Sequence, residues 1–311
     1  MGGYENRMQS GGEAALRTRV YIDGYNLYYG CLKRSPYKWL DVRALLQHVL
    51  TNVPYQKDGV PITYRFETPA IKYFTAPILK AFAKSDDSVS SQIHYHSALT
   101  GHLGAELEIV KGYYDARPAR AHKWEAGKAA RECEKIEMWK LEEKQSDVAL
   151  ALHAFSDAVR AEVDQIVVVT NDTDFGPAME MIRQHTPVVI GLVAPIRSDT
   201  GNVNAQLERH AHWTRRHILD DEFARSQLPP MVRHQGRPVH KPLSWYPRPD
   251  LLGPIFEEAK RVRGSAGAAR RWLNQPCAHL GDRLPIILCE QDDSAAELRD
   301  YMAAYANQFG I

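Results

Sequence analysis

Between Gln165 and Thr170 the chain reads Gln-Ile-Val-Val-Val-Thr and then turns at once into Asn-Asp-Thr-Asp-Phe-Gly. An unbroken run of β-branched apolar residues, Ile166 to Val169, has no polar face to offer water. It reads as a strand buried on both sides, the pattern of a parallel sheet covered by helices. The polar turn that follows sets Asp172 and Asp174 beyond the carboxyl end of that strand, where open parallel sheets gather their ligands.

The remaining elements are consistent with such a sheet. Val20 to Ile22 form a short buried strand that ends at Asp23 and Gly24. Asp41 precedes Val42, Leu45, Leu46, Val49 and Leu50, an N-cap followed by helical spacing. Strands over 71–75, 107–110 and 188–193 are expected, with helices over 89–103 and 175–184. A further helix, capped by Ser146, carries Val148, Leu150, Ala151, Leu152, Phe155 and Val159. Strands that alternate with helices predict an α/β fold with a central parallel sheet flanked by helices on both faces.

A chain of 311 residues exceeds one ordinary compact domain. The texture divides it into an N-terminal tail over 1–17, expected to be flexible, a main domain over 18–221, a Pro- and Arg-rich linker over 222–250 and a small helical module over 251–311. Residues 112–144 form a charged and aromatic excursion within the main domain. Cys31, Cys133, Cys277 and Cys289 are scattered and lack zinc spacing, so buried reduced thiols are expected. Neither a signal-like apolar run nor a membrane-length apolar segment is seen, which points to a cytoplasmic protein. The formal charge of +1 means that any nucleic-acid contact must come from local basic patches.

Asp23, Asp147, Asp172 and Asp174 are the candidates for chemistry. The first closes a strand, the last two follow one, and Asp147 stands in the first turn of a helix, where the helix dipole favours negative charge. Singly, each reads as well as a turn or cap residue. Together at one mouth of the sheet they repel, and a divalent cation with hard oxygen ligands resolves that repulsion. Mg²⁺ or Mn²⁺ there supports phosphodiester hydrolysis, with Asp23, Asp147 and Asp172 as ligands and Asp174 as a ligand through water or an orienting acid.

Three segments carry a resemblance. Tyr-Ile-Asp-Gly-Tyr-Asn (21–26), Glu-Lys-Gln-Ser-Asp-Val-Ala-Leu-Ala-Leu (143–152) and Val-Val-Val-Thr-Asn-Asp-Thr-Asp-Phe-Gly-Pro-Ala-Met (167–179) resemble, in order and spacing, the LabA-like branch of the NYN domain. The runs 72–77 and 107–112 are similar to that family's second and third strands. The resemblance implies a PIN-like fold and Mg²⁺- or Mn²⁺-dependent endoribonuclease activity, with Asp23, Asn26, Asp147, Asp172 and Asp174 in the acidic pocket. Thr170 and Asn171 join Asn26 as expected substrate contacts. The sequence departs from the family at His153, where another aspartate is common, with Asp157 one turn farther on.

RNA requires a basic track and aromatic faces. The excursion supplies Arg117, Arg120 and Lys123 with Tyr113, Tyr114 and Trp124, an expected flap over the acidic pocket diluted by four glutamates. The run 269–285 resembles the toxin-binding segment of Xre- and ParS-type antitoxins, which implies a helical module for a protein partner or self-association through 251–311. Two alternatives stay open: a catalytically silent RNA-binding or regulatory module that keeps the acidic pocket, and a DNA-directed 5′ or flap nuclease.

Overall fold

The strand expected from the Ile166–Val169 run is the hydrophobic axis of the molecule: every residue from Gln165 to Val169 is buried. The computed structural model describes residues 15–53, 55–57, 60, 61, 63–197 and 201–309. Residues 1–14 of the expected tail lie outside the described residues, whereas Leu16 and Arg17 already belong to the first strand.

In chain order the elements are β1 (Leu16–Asp23), α1 (Gly24–Leu27), α2 (Val42–Thr51), β2 (Gln56–Lys57), β3 (Val60–Pro61), β4 (Tyr64–Thr75), α3 (Ser88–Leu103), β5 (Leu107–Lys111), β6 (Tyr113–His122), β7 (Lys135–Lys144), α4 (Ser146–Val159), β8 (Gln165–Val169), α5 (Gly176–His185), β9 (Val189–Val193), α6 (Ala205–Glu208), β10 (Trp213–Arg215), α7 (Asp220–Arg225), β11 (Met231–His234), β12 (Arg237–His240), α8 (Pro249–Arg263), α9 (Ala266–Leu273), α10 (Pro285–Leu288) and α11 (Asp292–Phe309). A π-turn over Tyr28–Leu32 prolongs α1.

The fold is α/β. A six-stranded sheet runs β10-β9-β8-β1-β4-β5, and each of its pairings is parallel. Its edge strand β10 was not expected, because Trp213–Arg215 is too short to show a period. One face buries Val20, Ile22, Val167 and Val169 against α2 and α3 residues such as Leu46, Val49 and Leu99. The other buries Tyr21, Ile166 and Val168 against Leu150, Ala154, Met179 and Ile182 of α4 and α5. Fully burying each such side chain stabilises the fold by roughly 1.5–3 kcal/mol before chain entropy is counted.

Local capping agrees with the sequence in one helix and differs in another. Asp41 caps α2 by accepting from the N–H groups of Arg43 and Ala44. Ser146, expected as a cap, is the first residue of α4, and Gln145 stands before it with a left-handed φ of 78°. The excursion is a two-stranded antiparallel ribbon, β6 with β7, that leaves the sheet after β5 and returns into α4.

The stretch 222–250, expected as a linker, holds structure packed on the main domain. β11 and β12 pair as a hairpin, and Val232 and Leu228 are buried in the same cluster as Trp39 and Tyr95. The indole N–H of Trp39 donates to the carbonyl of Pro229 at 2.8 Å. Isolated anchors of this kind leave no periodic trace in a sequence. The C-terminal helices α8, α9 and α11 enclose a separate core around Leu252, Ile255, Leu273 and Leu298. All four cysteines are buried free thiols. Among the described residues, no helix is long and apolar enough to cross a membrane.

Candidate acidic cleft

β1 and β8 lie side by side, with Ile22 opposite Val169, so their carboxyl ends open onto the same side of the sheet. Asp23 is the last residue of β1 and the N-cap of α1: its Oδ1 accepts from the backbone N–H of Asn26 at 2.9 Å. Its Oδ2 accepts from the hydroxyl of Thr170 at 3.3 Å. That hydroxyl oxygen accepts in turn from the N–H of Asp172 at 3.1 Å, and Asp172 Oδ1 accepts from the N–H of Asp174 at 3.0 Å. Gly24 is required beside Asp23, because a Cβ there would stand 2.6 Å from the Tyr73 ring and 2.7 Å from the Phe74 carbonyl oxygen.

A cleft of about 770 Å³ opens over these residues. Asp23, Asn26, Asp147, Asn171 and Asp172 all line it, as the sequence suggested. Thr170 is buried beneath them, where it holds Asp23 and Asp172. Asp174 is exposed outside the lining set, yet close enough to act on Asp147 electrostatically.

The electrostatics tie the acids together. Burial pushes the Asp23 carboxyl up to about 6; the Asn26 N–H opposes this, and the nearby Asp147 charge adds to it. Asp147 is raised by burial and by repulsion from Asp172 and Asp174. Glu143 is raised by burial and by Asp147, although the nearby Ser146 hydroxyl opposes the shift. Like charges close enough to act on one another in this way mark a shared site that a cation would relieve. The donors are hard oxygens. Among the described residues no three His, Cys, Asp or Glu stand close enough to close a cage around an ion. The arrangement fits an open, water-rich site of the kind Mg²⁺ adopts, with one or two carboxylates, several waters and a substrate phosphate.

The expected basic contacts are placed elsewhere. Arg117, Arg120 and Lys123 lie along or just beyond β6 and do not line the cleft. Arg117 stands 3.6 Å from Asp115 and Arg120 3.1 Å from Glu137, so both are partnered within the ribbon. Only the base of the ribbon reaches the cleft, where the Tyr114 ring meets Tyr25 edge-on at 5.8 Å. Residues passed over in the sequence line the cleft instead: Glu143, Tyr25, Tyr29, Lys33, Arg34 and Arg197. Tyr25 and Tyr29 were visible as followers of Asp23, but the π-turn that brings Lys33 and Arg34 round has no sequence signature.

His153 and Asp157 stand away from the cleft. Asp157 is 4% exposed and takes the Arg19 guanidinium, the Lys72 ammonium and the Tyr21 hydroxyl on one carboxylate oxygen, at 2.7, 2.7 and 2.6 Å. His153 Nδ1 lies 3.3 Å from Lys72 Nζ at the edge of this group. Asp157 is therefore a buried structural anion that joins α4 to β1 and β4, and not a fifth acid of the cleft.

Comparison with known proteins gives three findings. A family model described as "NYN domain" matches residues 17–212. Over 299 residues the chain is 44% identical to "6-hydroxy-3-succinoylpyridine 3-monooxygenase HspA" of Pseudomonas putida (strain DSM 28022 / S16), covering 94% of this chain and 96% of that protein. A solved structure, a protein of unknown function (VPA0982) from Vibrio parahaemolyticus RIMD 2210633, is 17% identical with a TM-score of 0.38, covering 68% of this chain and 98% of that one.

Proposed function

This chain belongs to the NYN domain family, a PIN-like fold, and on that premise we propose that it is a Mg²⁺- or Mn²⁺-dependent endoribonuclease that hydrolyses phosphodiester bonds in the acidic cleft. The observation that carries the reading is the convergence of Asp23, Asp147 and Asp172, carboxyls from distant parts of the chain, on the lining of one cleft, where the Asp147 charge acts on Asp23 and the Asp172 charge on Asp147. Of Asp23, Asp147 and Asp172, one or two would hold the ion directly and the rest, with Asp174, through water. A bound divalent ion supplies charge neutralisation at the scissile phosphate and a more acidic water.

The chain's own groups do the positioning. Asn26 N–H and Thr170 O–H fix the two oxygens of Asp23, so its carboxylate is held before any ligand arrives. Asn171 is tied through its backbone to Asn26 and through its side chain to the backbone of Asn204 and Asn202, which keeps the opposite loop in place. Glu143, raised above the ordinary carboxyl range and lining the cleft, is suited to accept a proton from the attacking water.

A second reading is favoured by the near-full-length relative, whose name describes oxygenation of a hydroxypyridine bearing a succinoyl group. A small aromatic acid would place its ring near Tyr25 and its carboxylate near Arg34, both of which line the cleft. Such a reaction consumes O₂ and an external reductant.

One experiment separates the readings. Single-stranded RNA, hairpin RNA and single-stranded DNA of one sequence are incubated with the protein in Mn²⁺ and in chelator. In parallel, O₂ uptake is followed with NADH and 6-hydroxy-3-succinoylpyridine. Mn²⁺-dependent cleavage of RNA is expected. Cleavage of DNA alone would reassign the substrate, and O₂ uptake with all three polymers intact would replace hydrolysis by oxygenation.

A further inference from the structure

Two of the residues that line the acidic cleft, Lys33 and Arg34, bring positive charge to it without a counterion among the described residues. Lys33 Nζ stands 4.8 Å from the centroid of the Tyr29 ring, and Lys84 Nζ, from the loop before α3, stands 5.7 Å from the same centroid. Tyr29 is 52% exposed and stacks on Tyr25 at 6.0 Å with 22° between the rings. Tyr25 is itself anchored, its hydroxyl donating to the Ala76 carbonyl at 2.8 Å. The aromatic pair is thus a fixed seat that draws two ammonium groups together, since a ring face attracts cations.

That gathering is electrostatically unfavourable as it stands. The Lys33 ammonium is held below its usual range first by Lys84 and then by burial and Arg34. Lys33, Arg34 and Lys84 form no ion pair with a carboxylate among the described residues, in contrast to Arg197, the other cation lining the cleft, which is bound by Asp220. The ribbon arginines are neutralised too, by Asp115 and Glu137. Two like charges on one ring with a third, Arg34, nearby, beside a cleft whose other wall is acidic, are relieved by an anion with several acceptor oxygens. A phosphate has them, and a guanidinium beside two ammonium groups matches its faces. A cleft of about 770 Å³ has room for one or two nucleotides of one strand.

We propose that Lys33 and Lys84, gathered on the Tyr29 ring at the rim of the acidic cleft, form with Arg34 of the cleft lining a phosphate subsite that grips the backbone of a single-stranded nucleic acid beside the bond to be cut. The identity of that bond rests on the hydrolytic reading above, whereas the subsite does not require cleavage to be observed.

The test is binding of a fluorescent single-stranded 12-mer RNA to the full chain in chelator, read by anisotropy at several KCl concentrations, for the natural protein, Lys33→Ala/Lys84→Ala and Lys33→Arg/Lys84→Arg. The alanine pair should weaken binding about tenfold at low salt and flatten the slope of log affinity against log salt by about 1.4, or 0.7 for each lost phosphate contact. The arginine pair should restore both. In Mn²⁺ the alanine pair should raise KM with kcat within twofold, and inorganic phosphate should compete with the RNA more strongly than succinate does. Unchanged affinity and slope in the alanine pair, absence of oligonucleotide binding by the natural protein, or stronger competition by succinate would each overturn the subsite. Binding that depends on the lysines without cleavage would leave the subsite standing and remove the hydrolytic reading. Cleavage with an unchanged KM would do the reverse.

Discussion

The backbone N–H of Asn171 donates to the side-chain oxygen of Asn26 at 3.0 Å, joining α1, directly after β1, to the loop after β8 across 145 residues of sequence. The same two residues adjoin both acids, because the Asn26 backbone N–H donates to Asp23 Oδ1 and Asn171 directly precedes Asp172. Asn26→Ala leaves the Asn171 N–H without its acceptor, which costs about 1–3 kcal/mol when the group is shielded from water. The expected result is a lower Tm together with a fall in kcat of tenfold or more, since two carboxylates lose their common brace. A variant with natural kcat would show that the brace does not align the acids.

Asp23 should be worth more to catalysis than to the fold. Its carboxyl is raised from 3.8 to about 6, mainly by burial, so the folded chain holds a proton there that the unfolded chain has lost between those values. Stability therefore falls as pH rises through that window and stays lower above it. Asp23→Asn removes the buried charge, and in chelator at pH 7.5 it should stabilise the protein by on the order of 2 kcal/mol while abolishing hydrolysis. At pH 4 the two proteins should unfold at nearly the same urea concentration. A destabilised Asp23→Asn at pH 7.5 would contradict the assignment.

The same contrast explains what the sequence disclosed. Buried apolar runs such as Ile166–Val169 declare a strand because burial on both faces leaves no alternative, and Asp23 and Asp172 follow from where those strands end. Lys33 and Arg34 reach the cleft only through the π-turn at Tyr28–Leu32, whose geometry comes from tertiary packing against the Pro195 loop. The hairpin at Met231–His240 is held by single anchors such as Val232, which carry no period. Arg117 and Arg120 looked available because a sequence does not show that Asp115 and Glu137 stand beside them.

Asp157 provides a prediction about the fold alone. Its burial would raise the carboxyl, but hydrogen bonds from Lys72, Tyr21 and Arg19 outweigh this and hold it below its usual value of 3.8. Glu162 stands 3.1 Å from Arg19 and Glu108 3.8 Å from Lys72, so the cluster has further anions at its border. Asp157→Asn strands two buried cations and should lower stability by about 3–5 kcal/mol at pH 7. Because the folded value is depressed, the contribution is present above pH 4 and fades only as pH falls below 3.8. Urea unfolding of both proteins at pH 7 and pH 3 should show the gap narrowing at the lower pH, and a gap that widens there would refute the sign.

Gly30 tests whether the turn that delivers the cations is constrained by packing. A Cβ at this position would lie 2.1 Å from the Pro195 carbonyl oxygen, a backbone atom that cannot rotate away. Gly30→Ala must therefore push the Tyr28–Leu32 turn off the loop that leads to Arg197, at about 1–3 kcal/mol for an overpacked contact. Since Lys33 follows that turn directly, its ammonium should leave the Tyr29 ring, and RNA affinity in chelator should fall with Tm. Gly176→Ala is the control: a Cβ there meets nothing nearer than Leu207 Cδ2 at 3.9 Å, at the first residue of α5, so both quantities should hold steady or Tm should rise slightly. Equal behaviour of the two variants would mean that the close approach at Pro195 does not set the position of the basic wall.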